Sequence, residues 1–223
     1  MTIAAALAEL ERSPALHDHI DRLRQVAEDE QHRRERFYND LDEDTKAEYI
    51  NGQIVVHSPA RFAHLQASQR ISTLLHLFTV QKNLGEVFVE KCLIRCQRND
   101  YEPDICFFTA AKVASFTGKQ SVFPPPDLIV EVLSPSTENN DRQLKRQDYA
   151  RHGVAEYWIV DADEQTVEQY ILLPESESYE LRAHLPVSAR LESQVLAGFD
   201  VPVAAFFRPG EYRRAMRDMV NAA

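Results

Sequence analysis

Two carboxylates stand in stretches that otherwise predict buried strands. Asp104 precedes the apolar residues Ile-Cys-Phe-Phe at 105–108, and Glu131 lies inside the apolar stretch 128–133. Burial of a lone ionised carboxylate costs several kcal/mol unless the group is paired or bound to a cation. Hard oxygen ligands suit Mg²⁺ or Mn²⁺, so one divalent ion shared by both residues explains the pattern.

The alternative explanation needs no metal. Asp104 is then a turn residue at the start of a strand, and Glu131 lies on an edge strand and pairs with Lys or Arg. For either residue alone the two explanations are equally good. For the pair the metal explanation is favoured, because burial makes a purely structural carboxylate expensive.

A further polar group follows Glu131 on a predicted helix. Asp141, Lys145 and Tyr149 are spaced i, i+4 and i+8, which places them on one helix face. One interpretation is an exposed Asp–Lys pair, which contributes only about 0.3–0.5 kcal/mol. The other is that this face looks back over the strand end, with Lys145 near a scissile phosphate.

The elements that must position these residues alternate irregularly along the chain. Residues 1–36 predict helix broken at Pro14, with 28–36 either a solvated helical end or a linker. Asn51-Gly52 predicts a β-hairpin. Helices are predicted over about 60–82 and 138–152, and strands over 86–96, 102–109, 127–133, 156–161, 166–172 and 179–183. This order predicts one α/β domain with a mixed sheet.

Composition restricts the class of protein. The 223 residues are 44% hydrophobic and 27% charged, as in ordinary globular proteins. No apolar stretch approaches the roughly 18 residues of a membrane span, so no membrane partner is expected. The three cysteines, an odd number, argue against a disulfide framework and favour a cytoplasmic location. The net charge of −10 disfavours a general nucleic-acid coating protein but permits an enzyme that meets DNA at one site.

Several motifs, in this order, resemble the Uma-two family of bacterial endonucleases, within the PD-(D/E)XK phosphodiesterase superfamily. They are Glu48-x-Ile-Asn-Gly, Pro103-Asp104, Asp127-Leu-Ile-Val-Glu131, Asp141-x3-Lys145-x3-Tyr149 and Gly153-Val-x-Glu156-Tyr-Trp. The resemblance covers about residues 41–207. It implies an α/β, restriction-endonuclease-like core with a central mixed β-sheet flanked by helices. Residues 1–40 are then an N-terminal helical extension, which packs on its own domain or on a second subunit, and 208–223 are a C-terminal tail.

The resemblance implies a metal-dependent endonuclease that hydrolyses DNA, with Mg²⁺ or Mn²⁺ as cofactor. Asp104 and Glu131 match the two metal-binding acids, with the carbonyl of Val132 as a further ligand. Glu48 matches an additional acid that such enzymes place nearby.

The superfamily lysine two residues after the second acid is absent here, because that position is Leu133. The family pattern implies Lys145, supplied from the helix, as its substitute. The superfamily also implies a homodimer.

Supporting or substrate-binding roles are expected for His64, Asp141, Arg142 and Tyr149. For His64 the simpler alternative is a partly exposed helix histidine. Arg142 heads a basic group that is a candidate for DNA phosphate contacts, although a solvated charge is the simpler interpretation of any one member. The group comprises Arg142, Lys145, Arg146 and Arg151, and a second one comprises Lys91, Arg95 and Arg98.

Two other functions stay open. One is a catalytically inactive binding module on the same fold, since fold does not guarantee activity. The other is a hydrolase of a phosphoester outside nucleic acids, which the negative net charge favours. The complete set of Asp104, Glu131 and Lys145 favours the active nuclease.

Overall fold

The structure is a computed structural model that describes residues 2–40, 45–135 and 137–222. The strands are β1 (Ala47–Ile50), β2 (Gln53–Val56), β3 (Gly85–Val89), β4 (Leu93–Arg95), β5 (Asp100–Tyr101), β6 (Ile105–Thr109), β7 (Val122–Phe123), β8 (Leu128–Val132), β9 (Glu156–Asp161), β10 (Thr166–Leu172), β11 (Tyr179–Pro186), β12 (Arg190–Glu192) and β13 (Asp200–Pro202). The helices are α1 (Ile3–Glu11), α2 (Leu16–Asp40), α3 (Phe62–Lys82), α4 (Ala110–Val113), α5 (Glu138–Asn140), α6 (Arg146–Arg151), α7 (Ala204–Phe207) and α8 (Pro209–Asn221). A π-helical turn, Asp141–Lys145, joins α5 to α6.

The central sheet has the strand order β11-β10-β9-β8-β6-β3. β8 and β9 are parallel, whereas the other neighbours in this sheet are antiparallel. The predicted mixed sheet is therefore confirmed. A second sheet has the order β2-β1-β5-β4-β7, and β12 pairs with β13. Because β8 lies between β6 and β9, Glu131 is not on an edge strand, and that part of the alternative is wrong. The pairing with a lysine that the alternative also predicted is present, through Lys145.

The two faces of the central sheet enter different hydrophobic clusters, as the alternation of side chains along a strand requires. On one face, Val130 of β8 packs with Trp158 and with residues of α3. On the other face, Ile129 packs with Tyr149. Glu131 has the same parity as Ile129, so its carboxylate points towards the helical segment that follows β8.

The predicted Asn-Gly hairpin is confirmed. Asn51 and Gly52 have φ values of 49° and 81°, and a type I′ turn requires positive φ at both of these positions. Ile50 pairs with Gln53 across the turn. This register fixes which residues of β1 and β2 stand opposite each other further from the turn.

The single strand predicted over 86–96 is wrong. The chain forms β3 and β4 there, and these strands belong to different sheets. Between them, Glu90 and Lys91 have φ values of 47° and 43°, a left-handed conformation that interrupts an extended strand. The N–H of Glu90 donates to the carbonyl of Asp104 at 3.0 Å, so the break lies beside a predicted metal ligand.

The N-terminal helices separate near Pro14, as predicted, and Oγ of Ser13 accepts a hydrogen bond from the N–H of Ala15. Residues 28–36 continue α2 as helix and are not a linker. The side chain of Arg34 fixes α2 to the rest of the domain. Its guanidinium donates to both oxygens of the fully buried Asp100, at 2.6 and 2.5 Å, and to the carbonyl of Gln97. α2 therefore packs on its own domain.

The remaining features of the fold concern the C-terminus, membranes and cysteines. Residues expected as a C-terminal tail form α8, in which Ala215 is buried and Met216 and Met219 pack on the core.

Among the described residues, no helix combines the length and hydrophobicity of a membrane span. Cys92, Cys96 and Cys106 are buried free thiols.

A structural carboxylate fastens the first residue of β9. Glu156 is fully buried, and a buried carboxylate needs several hydrogen-bond donors to replace its hydration. Within the described ranges its donors, at 2.7–2.9 Å, are Nε1 of Trp158, Nε2 of Gln169, Oγ of Ser193 and the N–H groups of Gln194 and Val195. This carboxylate ties the central sheet to the loop after β12.

We expect Glu156→Ala to lower the free energy of unfolding by about 3–5 kcal/mol, because buried donors lose their charged acceptor. Urea unfolding measures the effect. The control Glu180→Ala removes an exposed glutamate of β11 and should change stability by less than about 0.5 kcal/mol. A similar small loss in Glu156→Ala would show that the network contributes little.

Candidate active site

A cleft of about 530 Å³ opens between the end of the β1–β2 hairpin, the start of α3, the end of β8 and the π-helical turn. Asp104 and Glu131 line this cleft. Their residues are only 5% and 3% exposed, so the predicted burial of both carboxylates is confirmed. The predicted acids therefore share one site at an opening of the protein surface.

Asp104 lies immediately before β6, and its carboxylate is held from three sides. Oδ2 accepts a hydrogen bond from the N–H of Val132 at 2.9 Å. Oδ1 lies 3.0 Å from Nζ of Lys46 and 3.4 Å from Nε2 of His64. Burial alone raises the pKa of this carboxyl, but His64, Lys46 and the Val132 N–H hold it well below its usual range. The carboxylate of Asp104 is thus ionised at neutral pH, and its oxygens can act as ligands of a metal ion.

Glu131 reaches the same cleft from β8. Oε1 accepts hydrogen bonds from Nζ of Lys145 at 3.0 Å and from the hydroxyl of Tyr149 at 2.9 Å. Oε2 accepts a hydrogen bond from the N–H of Asp104 at 3.3 Å. The backbone that carries Asp104 therefore contacts the side chain of Glu131, while the backbone next to Glu131 contacts the side chain of Asp104. These reciprocal contacts fix the two acids relative to each other.

Three carboxylates surround the ammonium of Lys145. Its Nζ lies 2.9 Å from Oε1 of Glu48, 3.0 Å from Oε1 of Glu131 and 3.2 Å from Oδ1 of Asp141. The contact with Glu131 is a hydrogen bond, whereas the contacts with Glu48 and Asp141 are ion pairs. Burial alone lowers the pKa of Lys145, but the charges of Glu131, Glu48 and Asp141 raise it well above its usual value. The ammonium is therefore charged at the base of the cleft.

The backbone of the helical segment explains how these groups reach Glu131. Asp141 and Lys145 are the first and last residues of the π-helical turn, a wider form of helix that is frequent at functional sites. Tyr149 follows on α6. The predicted common face of the three residues is confirmed, and the exposed Asp–Lys pair is wrong, because Asp141 and Lys145 are only 1% and 2% exposed.

The hairpin places Glu48, which is 1% exposed. Besides its contact with Lys145, Oε1 accepts a hydrogen bond from the N–H of Glu102 at 3.0 Å. Oε2 lies 3.1 Å from Nε2 of His57. Burial alone raises the pKa of Glu48, but Lys145 and His57 bring it below its usual value. Glu48 is thus a fixed, ionised acid beside the predicted metal ligands.

The lysines do not balance the negative charge of this cluster. Glu48, Asp104, Glu131 and Asp141 are all buried, whereas Lys46 and Lys145 are the lysines that contact them. Burial raises the pKa of Glu131 to about 8 in spite of Lys145, and the neighbouring carboxylates add to the increase. The cluster therefore favours additional positive charge.

The residues fit a hard divalent ion. Asp104 and Glu131 present the carboxylate oxygens that Mg²⁺ and Mn²⁺ prefer, and Mg²⁺ is commonly held by one or two carboxylates while it keeps several waters. Within the described residues, no three His, Cys, Asp or Glu side chains converge as a ready metal site. The fit thus depends on two acids and on the preference of the cluster for an added positive charge, which the raised pKa of Glu131 indicates. The N–H of Val132 contacts Asp104, and its carbonyl as a ligand stays a prediction.

The structure brings most of the predicted site residues together. These are Glu48, His64, Asp104, Glu131, Val132, Asp141, Lys145 and Tyr149. Arg142 lies apart from them, because its guanidinium pairs with Glu138 at 2.9 Å and with Glu168. Arg146 of the same predicted basic group lies over the ring of Tyr170, 5.2 Å from its centroid. Two of the expected phosphate contacts are therefore engaged within the protein.

Sequence reasoning missed Lys46, His57 and Glu102, which line the cleft. The register of the β1–β2 hairpin could have located Lys46 and His57 relative to each other. Since Ile50 pairs with Gln53, counting outward from the turn places Lys46 opposite His57. The N–H of His57 indeed donates to the carbonyl of Lys46 at 3.1 Å. Lys46 and Glu48 are two residues apart, which places both on one side of the strand.

A model of the Uma2 family, described as "Putative restriction endonuclease", matches residues 30–204. The chain belongs to the Uma2 family. The Uma2 match contains every predicted site residue and begins within α2, before Arg34. No curated protein matches the sequence.

One solved structure resembles this chain at the level of fold. A crystal structure of a "putative nuclease belonging to DUF820" from Anabaena variabilis ATCC 29413 matches with a TM-score of 0.66 and 19% sequence identity, over 77% of this chain and 94% of that one. It confirms the restriction-endonuclease-like fold. The type IIG restriction endonuclease BpuSI matches with a TM-score of 0.37 and 14% identity, over 74% of this chain and 18% of that one.

We expect the metal-free protein to lose stability as the pH rises from about 5 to about 8. The pKa of Glu131 is about 8 in the folded protein and close to 4.5 when the chain is unfolded. The folded state therefore binds more protons in this window, and the free energy of unfolding falls as the pH rises. Urea unfolding in EDTA across the window measures the slope.

The variant Glu131→Gln cannot titrate and should flatten this slope, whereas Glu180→Gln, at an exposed position, should retain it. An unchanged slope in Glu131→Gln would assign the pH dependence to another group.

Lys145→Met should lower the free energy of unfolding by about 3–5 kcal/mol, because three buried carboxylates lose their shared cation. Adding Glu48→Gln should restore part of the loss, since it removes one uncompensated charge. Chemical unfolding followed by circular dichroism measures both variants. If the double variant is no more stable than Lys145→Met alone, the loss of stability comes from lost packing of the lysine side chain and not from uncompensated charge. Lys119→Met, at an exposed position, is the control.

Proposed function

We propose that the chain is a metal-dependent endonuclease that hydrolyses DNA phosphodiester bonds, with Mg²⁺ or Mn²⁺ as cofactor. Membership of the Uma2 family supports the nuclease class. One observation carries the proposal further: Asp104 and Glu131, both buried, bind each other's backbone at an open cleft. In this cleft the acids Glu48, Asp104, Glu131 and Asp141 outnumber the two lysines that contact them, and the pKa of Glu131 is raised. Such a cluster is expensive without a cation.

Asp104 and Glu131 are the proposed metal ligands, with the carbonyl of Val132 as a further one. When bound, the ion polarises a phosphate oxygen and lowers the pKa of a coordinated water. The chain itself keeps both acids in position. The N–H of Val132 orients Asp104, and the hydroxyl of Tyr149 orients Glu131.

Lys145 belongs to the proposed catalytic set through the acids that it contacts. Its charge opposes the increase that burial causes in the pKa of Glu131, and it helps to bring the pKa of Glu48 below its usual value, so it favours the ionised form of both acids. Asp141 completes the set of oxygens around the ammonium. Glu48, whose pKa is below its usual value, is suited to hold a water molecule and not to store a proton.

His64 has a proposed supporting role beside Asp104. Burial alone lowers the pKa of His64, but the contact between its Nε2 and Oδ1 of Asp104 raises it. The contact therefore favours the protonated form of the imidazole. A proton on Nε2 keeps Asp104 oriented and adds positive charge at the side of the cleft.

The contact surface for DNA and the homodimer stay predictions. Arg142 pairs with two carboxylates, so a phosphate contact through this residue requires it to leave them. Arg95 of β4 also has a partner within the protein, because it donates to the hydroxyl of Tyr38 at 3.1 Å and lies over that ring. Arg151, which is exposed on α6, is the better candidate for a phosphate contact outside the cleft.

Asp104→Asn should abolish metal-dependent cleavage, by at least about 10³-fold, while the fold persists, because the amide keeps an oxygen for the Val132 N–H but loses the charge. The assay incubates supercoiled plasmid or single-stranded DNA with the protein and Mn²⁺, Mg²⁺ or EDTA. Thermal unfolding checks the fold. Full activity in Asp104→Asn would end the proposal.

Asp127→Asn is the matched control for this variant. Asp127 precedes the opposite end of β8, where it also pairs with a lysine, Lys112, at 3.0 Å. Its replacement should leave cleavage intact. Cleavage lost equally in both variants would indicate a general effect on the sheet. No cleavage by the wild-type chain, together with no Mn²⁺ binding by calorimetry, would favour the inactive binding module.

A further inference from the structure

Lys46 is the one lysine among the described residues that contacts Asp104. It immediately precedes β1, and its backbone is held by the bond from the N–H of His57. Its side chain is 21% exposed, and its Nζ lies 3.0 Å from Oδ1 of Asp104. The ammonium therefore lies at the oxygen that a metal ion on Asp104 needs.

The two lysines of the cleft differ in their freedom. The side chain of Lys145 is 3% exposed, and three carboxylate oxygens surround its ammonium. Within the described part of the chain, the ammonium of Lys46 has one hydrogen-bonded carboxylate oxygen, on Asp104. Since an ammonium has three donors, Lys46 retains capacity for other acceptors. Lys145 therefore has a fixed environment, whereas Lys46 can exchange its partner.

A divalent ion and the ammonium of Lys46 compete for Oδ1 of Asp104. Like charges a few ångströms apart repel strongly in a partly buried site. The cleft of about 530 Å³ and the flexible four-carbon stem of the lysine allow the ammonium to move away. An ammonium displaced from Asp104 keeps the attraction of Glu131 and Glu90, whose charges already act on it and which line the same cleft. The phosphate that the metal ion recruits adds a third anion within reach of the side chain.

We propose that Lys46 is a movable cation of this site: it occupies Asp104 in the metal-free protein and is displaced by the metal ion towards the substrate phosphate. This role rests on the proposed function. It explains how a buried carboxylate is neutralised before metal binds. It also gives the site a lysine that contacts the substrate. Lys145 is poorly placed for such a contact, because three carboxylates surround its ammonium.

The first test titrates Mn²⁺ alone into the full chain by calorimetry. Lys46→Met removes the charge but keeps a side chain of similar length, and it should bind Mn²⁺ about tenfold more tightly, equivalent to about 1.4 kcal/mol. Asp104 stays ionised in this variant, because His64 and the Val132 N–H also contact it. Lys46→Arg, which keeps the charge, should stay close to the wild type. Lys112→Met removes a similar Lys–Asp pair outside the cleft and should change nothing.

The second test uses thymidine 5′-phosphate, which has no phosphodiester bond to cleave. In Mn²⁺-loaded protein, Lys46→Met should bind this probe about tenfold more weakly than the wild type, because a charge-assisted contact is lost. In metal-free protein the two should differ much less, since Lys46 is then paired with Asp104. Thermal unfolding confirms that each variant is folded.

The outcomes separate this role from the proposed function. Mn²⁺ affinity that is unchanged or weaker in Lys46→Met, with plasmid cleavage retained by the wild type, would overturn the role of Lys46 alone. Tighter Mn²⁺ binding without weaker binding of the probe would overturn the transfer to phosphate. Failure of both the wild type and Lys46→Met to bind Mn²⁺ would overturn the role and the proposed function together.

Discussion

The relative positions of three elements of the fold depend on one buried ion cluster. In this cluster the ammonium of Lys145 lies among the carboxylates of Glu48, Glu131 and Asp141. Each carboxylate comes from a different element, namely the β1–β2 hairpin, β8 and the π-helical turn. None of these elements can shift without leaving a charge unpaired in a region of low dielectric, which is far more costly than the loss of a surface ion pair. The cluster therefore joins the two sheets and the helical segment around the cleft.

The sequence predicted the parts of the site that depend on local rules. Two carboxylates in apolar strands implied burial, and i, i+4, i+8 spacing implied one helix face. Asn51-Gly52 implied the hairpin. The break between β3 and β4 was not predictable, because Glu90 and Lys91 adopt positive φ for a tertiary reason, the contact of Glu90 with the backbone of Asp104.

Lys46 was missed for a related reason. A lysine before a strand is ordinarily solvated, and only the pairing of β1 with the rest of the fold places its ammonium on Asp104. The same holds for Arg142, which the sequence presents as a free basic residue, whereas Glu168 on β10 and Glu138 on α5 bind its guanidinium. Charge pairing between elements that are distant in sequence is set by topology, which a single sequence does not encode locally.

The bond between Arg34 and Asp100 bears on where this folding unit begins. Asp100 is fully buried in β5, and the guanidinium that neutralises it comes from α2. The same region connects inward, since Asn99 and Tyr101 both donate to Asp148 on α6, and the ring of Tyr101 lies 5.3 Å from that of Tyr149. A chain shortened to its first strand would expose these connections and leave Asp100 as an orphaned charge. The last two turns of α2 are thus part of the folding unit that carries the candidate active site, and a fragment that keeps the partner of Asp100 has to begin ahead of Arg34.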